Sequence, residues 1–205
     1  MNYSTIQYKI SQDIAGITLN NPPGNQTSLL FFNELHHICT HLSSNKALNG
    51  VIIDSTGRHF SSGAVVSELL EEIQQNTFEA IPSQMEKNLT GFQILRNLNI
   101  PVVALIKGIC YGSGFELALC AKYRIATKNA LMCFPEISFG LMPGLGGIYS
   151  LTNLIGKART TELVLTGRSI NAEEALTLGL LESIHPEKSL HQEAIQLIRA
   201  KSRTK

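Results

Sequence analysis

The chain has 205 residues, of which 43% are hydrophobic and 16% charged, with a formal net charge of +1. That length supports one domain with a sizeable core, and the near-neutral charge gives no reason to expect nucleic acid or a membrane surface as partner. No apolar run approaches a membrane span and no basic stretch leads into an apolar one at the N-terminus, so neither a transmembrane helix nor a signal peptide is expected.

Tyr3 to Ile10 and Ile14 to Leu19 read as two strands joined by a turn at Ser11-Gln12-Asp13. Asn20 to Asn25 is a cluster of breakers and reads as a loop. Ser28 is a good N-cap for a helix to about Leu42, because Leu29, Phe32, Leu35, Ile38 and Leu42 share one face. Val51-Ile52-Ile53 is a short buried strand. A small-residue loop follows, Gly57 to Ala64, and then helical patterns over about 66–75 and 83–98, with the polar stretch 74–80 between them. Val102 to Ile106 reads as a buried strand, Gly112-Ser113-Gly114 as a turn, and Phe115 to Cys120 as the start of a buried helix.

Beyond that, Tyr123 to Thr127 and Leu131 to Phe134 read as strands, and Phe139 to Gly147 as a second glycine-rich loop. Helices are expected at 148–155, 158–166 and 172–178, the last capped by Asn171 with Glu174 in a capping box. Leu180 to Ile184 suits a last short strand, and a terminal helix should run from Pro186 to about Ser202. The four cysteines (Cys39, Cys110, Cys120, Cys133) lack metal-ligand spacing and read as reduced thiols of a cytoplasmic protein.

A strand, a flexible turn and a helix start form a place where backbone N–H groups and the helix dipole favour developing negative charge. Glu116 lies in that first helical turn within an apolar context, where a carboxylate is costly unless used or paired. Glu136, after Pro135, is a second carboxylate beside an apolar turn. Two small-residue turns and two carboxylates could polarise a carbonyl and move protons. Taken singly, each feature is more often plain packing or a charge that complements a helix dipole.

The order and spacing of these pieces resemble the crotonase, or enoyl-CoA hydratase/isomerase, superfamily. Four blocks carry the likeness in sequence: Phe60-Ser61-Ser62-Gly63-Ala64; Pro101 to Ala121; Leu131 to Gly147 with Pro135-Glu136 and Pro143-Gly144; and Ile155-Gly156 through Thr166-Gly167-Arg168 to Gly179-Leu180. The resemblance implies an α/β spiral of repeated β-β-α units over 1–185, with 186–205 beginning a C-terminal helical region that family chains continue further.

It also implies hydration or dehydration of a 2-enoyl thioester of coenzyme A, or of an acyl-carrier protein, in a homo-oligomer (trimer or hexamer) needing no metal or other cofactor. The backbone N–H groups of Ser62 and Ser113 would form the oxyanion hole, and Glu116 and Glu136 would be catalytic. Ser61, Gly63, Ala64, Tyr111, Gly112, Gly114 and Gly144 would contact the substrate. An isomerase or decarboxylase acting on a carrier-bound intermediate, or a catalytically silent binding relative, are the alternatives. Besides that shorter C-terminal region, two departures from the family pattern stand out. Val65 replaces the acidic residue usual after Gly-Ala, and Ala121 replaces the usual Asp after Cys120, so hydrogen bonding there must differ.

Overall fold

The computed structural model describes residues 3–68 and 80–202. Strands β1 (Ile6–Ser11) and β2 (Ile14–Leu19) form an antiparallel hairpin, pairing Ile6 with Leu19 and Ser11 with Ile14. The helix α1 (Leu29–Ser44) follows, its first turn capped by the Ser28 side chain, which accepts from the Phe31 N–H. Next come β3 (Gly50–Ser55), α2 (Ala80–Arg96), β4 (Val102–Ile106), β5 (Ile109–Tyr111) and α3 (Ser113–Cys120). After them lie β6 (Tyr123–Ala126), β7 (Leu131–Cys133), a 3-10 turn (Glu136–Phe139), α4 (Gly147–Ile155) and α5 (Lys157–Thr166). The described chain closes with β8 (Ile170–Asn171), α6 (Ala172–Thr177), β9 (Ser183–Ile184) and α7 (Glu187–Ser202). The expected helix over 66–75 is helical at residues 66–68, and its remainder, with the polar stretch 74–79, lies outside the described residues.

The main sheet has the order β1-β2-β3-β4-β6-β9, parallel throughout except for the hairpin. Parallel strands buried on both faces should be apolar at nearly every position, as β4 is. The period-2 geometry of a strand sends alternate residues to opposite faces. Val51, Ile53, Val102, Ala104 and Ile106 join the core built with α1, α2 and α3. Ile52, Val103, Leu105 and Ile125 pack instead against Leu190, Ala194 and Ile198 of α7. Each such fully buried aliphatic side chain contributes about 1.5–3 kcal/mol, so α7 covers the second face of the sheet over β3, β4 and β6.

A second, smaller sheet orders β5-β7-β8. Its run is continued by single parallel bridges, Ser61 with Cys110 and Thr27 with Ala64. Successive turns of the chain therefore give one strand to the large sheet and one short segment to the small one, which is the expected β-β-α spiral. β5, β8 and the two bridges are too short to carry a period of their own, and none of them is evident in the sequence. The buried Arg124 guanidinium is held by main-chain carbonyls, donating to Ala121 and, at 2.7 Å, to Leu180. All four cysteines are free and buried. Among the described residues no helix is long and apolar enough to cross a membrane.

Candidate active site

Helix α3 is buried along its whole length and starts directly beyond β5. The reversal is made by Gly112, at φ 54° and ψ −128°, a conformation an L side chain resists. Its N–H donates to the Cys133 carbonyl (2.9 Å) and its carbonyl accepts from the Glu116 N–H (2.9 Å). Helical phase then turns Glu116 inward, 2% exposed, against the loop that precedes α4. There one carboxylate oxygen, Oε1, accepts from the N–H groups of Leu145 (2.8 Å) and Gly147 (2.9 Å).

Burial pushes the Glu116 carboxyl up from 4.5 to about 7. The two N–H donors and the Arg96 guanidinium oppose that rise, and the nearby Glu136 charge adds to it. Arg96, from the last turn of α2, lies over the same loop, its Nη2 3.4 Å from the Leu145 carbonyl and 3.5 Å from Cys120 Sγ.

Glu136 arrives from the opposite side. Pro135 ends the segment after β7, and a single 3-10 turn closed by Gly140 in the left-handed region presents the carboxylate. Its Oε1 lies 3.0 Å from where a Cβ on Gly112 would stand. The positive φ therefore favours glycine at 112, and a Cβ there would also crowd that carboxylate by a few tenths of an ångström. Burial raises the Glu136 pKa, and its Oε2 is buried without a hydrogen-bond partner among the described residues. A buried carboxylate oxygen left unpaired is costly, and such groups are kept where they serve a reaction more often than elsewhere.

The first loop corrects part of the expected site. The Ser62 N–H donates to the Gly24 carbonyl at 2.8 Å and is not available as an oxyanion donor. Ser61 is fully buried. Its hydroxyl donates to the Asn25 carbonyl (2.7 Å) and accepts from the Gly63 N–H (3.2 Å), so it braces the loop and cannot touch a substrate. Gly114 likewise faces protein. A Cβ there would sit 2.5 Å from the Ser61 Cβ, so glycine lets α3 approach the loop.

Gly63 packs over Tyr111 and Gly112. Ala64, one residue past Gly63, and Ser113, the first residue of α3, have amides with no hydrogen-bond partner among the described residues. Tyr111 directs its hydroxyl to Ser169 Oγ (2.9 Å), and Gly144 is exposed. Val65, at the loop exit, donates its N–H to the Thr27 carbonyl (3.4 Å).

Several residues that matter here carry no signal of their own in the sequence. Asn25, at φ 47°, fastens the turn by donating from Nδ2 to the carbonyls of Thr56 (2.8 Å) and His59 (2.9 Å). Thr27 Oγ1 and Ser113 Oγ share a buried hydrogen bond of 2.6 Å. Lys107 pairs with Glu187 (3.0 Å), His59 Nδ1 accepts from the Ile109 N–H (3.1 Å), and Arg58 is exposed. Of the histidines on α1, His37 and His41 are hydrogen-bonded by the hydroxyls of Tyr3 and Tyr8.

Comparison with known proteins places this arrangement. The sequence profile described as "Enoyl-CoA hydratase/isomerase" matches residues 9–203. A Mycobacterium bovis protein classed as an enoyl-CoA hydratase is 32% identical over 195 residues, covering 95% of this chain and 74% of the relative. The crystal structure of an enoyl-CoA hydratase from Bacillus anthracis superposes with a TM-score of 0.86 at 31% identity, covering 98% of this chain and 78% of that one. A Thermobifida fusca protein assigned to the same activity and solved in complex with CoA superposes with a TM-score of 0.86 at 30% identity, covering 96% of this chain and 77% of that one. Taken with the spiral and its paired sheets, these matches establish that the chain belongs to the enoyl-CoA hydratase/isomerase family.

Proposed function

We propose that the protein adds water to the double bond of a 2-enoyl thioester, and removes it in reverse, with Glu116 and Glu136 as the proton-moving pair. The observation that carries this reading is the placement of a buried carboxylate, Glu116, and a half-buried one, Glu136, around Gly112. Glu136 Oε1 lies against that glycine, and Glu116 is one turn further along α3, its pKa raised in part by the charge of Glu136. Relatives that carry the same activity in their names, one of them crystallised with CoA, support coenzyme A as the carrier of the acyl group.

In this scheme the thioester oxygen lies between the N–H groups of Ala64 and Ser113. The oxygen of a water attacks the β carbon while one carboxylate takes its proton. The π electrons of the alkene move toward the α carbon and the carbonyl, and the thioester oxygen gains the negative charge. The second carboxyl then delivers a proton to the α carbon, which restores the C=O bond and leaves a 3-hydroxyacyl thioester. Fixed amides stabilise the enolate oxygen without reorganising, and one such donor is worth about 3–4 kcal/mol. A carboxyl with a pKa near 7 can both accept and donate at neutral pH, which a reversible hydration requires.

The test is mass spectrometry of the purified protein with a panel of 2-enoyl-CoA and 2-enoyl-acyl-carrier thioesters. Gain of one water by at least one substrate, abolished in Glu116→Gln and in Glu136→Gln, is the expected result. Double-bond migration or loss of carbon dioxide in place of water addition would move the assignment to an isomerase or a decarboxylase. A folded protein that binds no thioester by calorimetry would make it a non-catalytic binding relative.

A further inference from the structure

The two amides come from parts of the chain that are far apart in sequence, and one residue touches both of their supports. We propose that the Thr27–Ser113 hydroxyl pair sets the gap between the Ala64 and Ser113 N–H groups, making Thr27 a positioning residue for the oxyanion hole. The inference rests on the thioester reading above and specifies how this chain holds that site.

Thr27 grips the first donor through its main chain. Its N–H donates to the Gly63 carbonyl (2.9 Å) and its carbonyl accepts from the Val65 N–H (3.4 Å), so Ala64 is bracketed on both sides. Amide directions alternate along extended backbone. With Val65 turned to Thr27, the Ala64 N–H is turned to the other edge, where Gly63 meets Tyr111 and Gly112.

The second donor is gripped through the side chain. The Ser113 hydroxyl is held by Thr27 Oγ1 at 2.6 Å. Thr27 is 2% and Ser113 6% exposed, so water does not compete for this bond. The clamp is itself anchored. The next residue, Ser28, caps α1, and Glu68 Oε2, from beyond the first loop, accepts from the Leu29 N–H at 3.0 Å. A change of even about 1 Å in the position of a catalytic group can cost about a hundredfold in rate, so a rigid cross-link between the donors acts on turnover more than on binding.

The experiment compares Thr27→Val, Ser113→Ala, the double variant and Thr27→Ser by three readouts: kcat and KM on the thioester the wild type turns over, urea unfolding, and NMR order parameters of the amides at 64 and 113. Thr27→Val and Ser113→Ala should each lower kcat by about tenfold or more, with KM changed by less than about twofold. Thr27→Ser, which keeps the hydroxyl, should restore kcat to within about threefold of wild type.

The double variant separates positioning from folding. Removing both partners leaves no buried group unpaired, so it should regain most of the stability lost in the singles while kcat stays low. Order parameters at both amides should fall together in Thr27→Val. The inference is overturned if kcat simply follows stability through the series, or if neither amide responds. A wild type that hydrates no thioester defeats the functional reading alone, because the amide measurement needs no substrate and still decides whether Thr27 couples the two donors.

Discussion

Replacing Glu116 by glutamine should make the protein more stable at pH 8 and nearly inactive at every pH. The carboxyl is 2% exposed, and its pKa rises from 4.5 to about 7, chiefly through burial. A group whose folded pKa is raised favours the folded state when protonated. That contribution is fully present below about pH 4.5, is lost as the pH rises through 7, and is absent above. The gap between the two values, at about 1.36 kcal/mol per pKa unit, corresponds to about 3 kcal/mol. Glutamine keeps an acceptor for the Leu145 and Gly147 N–H groups and carries no charge at any pH.

Urea unfolding of both proteins from pH 4 to pH 9 should therefore show near-equal stability at the acid end and an advantage to Glu116→Gln of up to about 3 kcal/mol at the alkaline end. For a chain of this size that corresponds to a melting temperature higher by up to about 6–12 °C. Turnover should fall by about 10²–10⁴. Equal pH slopes in the two proteins would refute the argument, since Glu116 could not then be the buried group whose ionisation opposes folding.

Glu136→Gln should lower turnover by a similar factor of about 10²–10⁴. Its stability should not fall, and above neutral pH should rise, because Oε2 has no hydrogen-bond partner among the described residues to lose and burial disfavours the charge that glutamine removes. Full activity in this variant would remove Glu136 from the proton-moving pair. Arg96→Met should move the pKa of Glu116 further up, since the guanidinium opposes the effect of burial. The corresponding limb in the pH profile of kcat/KM should shift to higher pH, whereas Arg96→Lys, which keeps the charge, should shift it less; an unmoved limb would mean that Arg96 does not act on Glu116. Gly114→Ala should destabilise the fold by about 1–3 kcal/mol or more in urea, because its Cβ would stand 2.5 Å from the Ser61 Cβ. A near-neutral result would show that α3 and the first loop can separate without cost.

The large sheet and the helices around it follow from patterns that residues carry locally. Val102 to Ile106 is apolar at every position, α1 repeats its apolar face with helical period, and Ser28 and Asn171 cap where N-caps should. What stayed hidden depends on partners remote in sequence. β5 and β8 have three and two residues, and they exist because β7 lies between them. The first-loop amide is proposed two positions further along for the same reason. Nothing in Ser61-Ser62-Gly63-Ala64 says that Gly24, across the Asn20–Asn25 turn, takes the Ser62 N–H and leaves that of Ala64 unbonded.

The Gly112-Ser113-Gly114 turn shows what local reading can and cannot supply. Its composition is enough to predict that something approaches the backbone closely, and something does at each position. At Gly112 it is the Glu136 carboxylate, at Ser113 the Thr27 hydroxyl, and at Gly114 the Ser61 side chain. Three neighbours from three different turns of the spiral thus converge on three consecutive residues. A ligand was the natural expectation for all of these contacts, yet packing accounts for the contact at 114 and a cross-link for the one at 113. Only at 112 does the close approach belong to an ionisable group with an unsatisfied oxygen, and that asymmetry is why the chemistry is assigned around Gly112 rather than to the glycine turn as a whole.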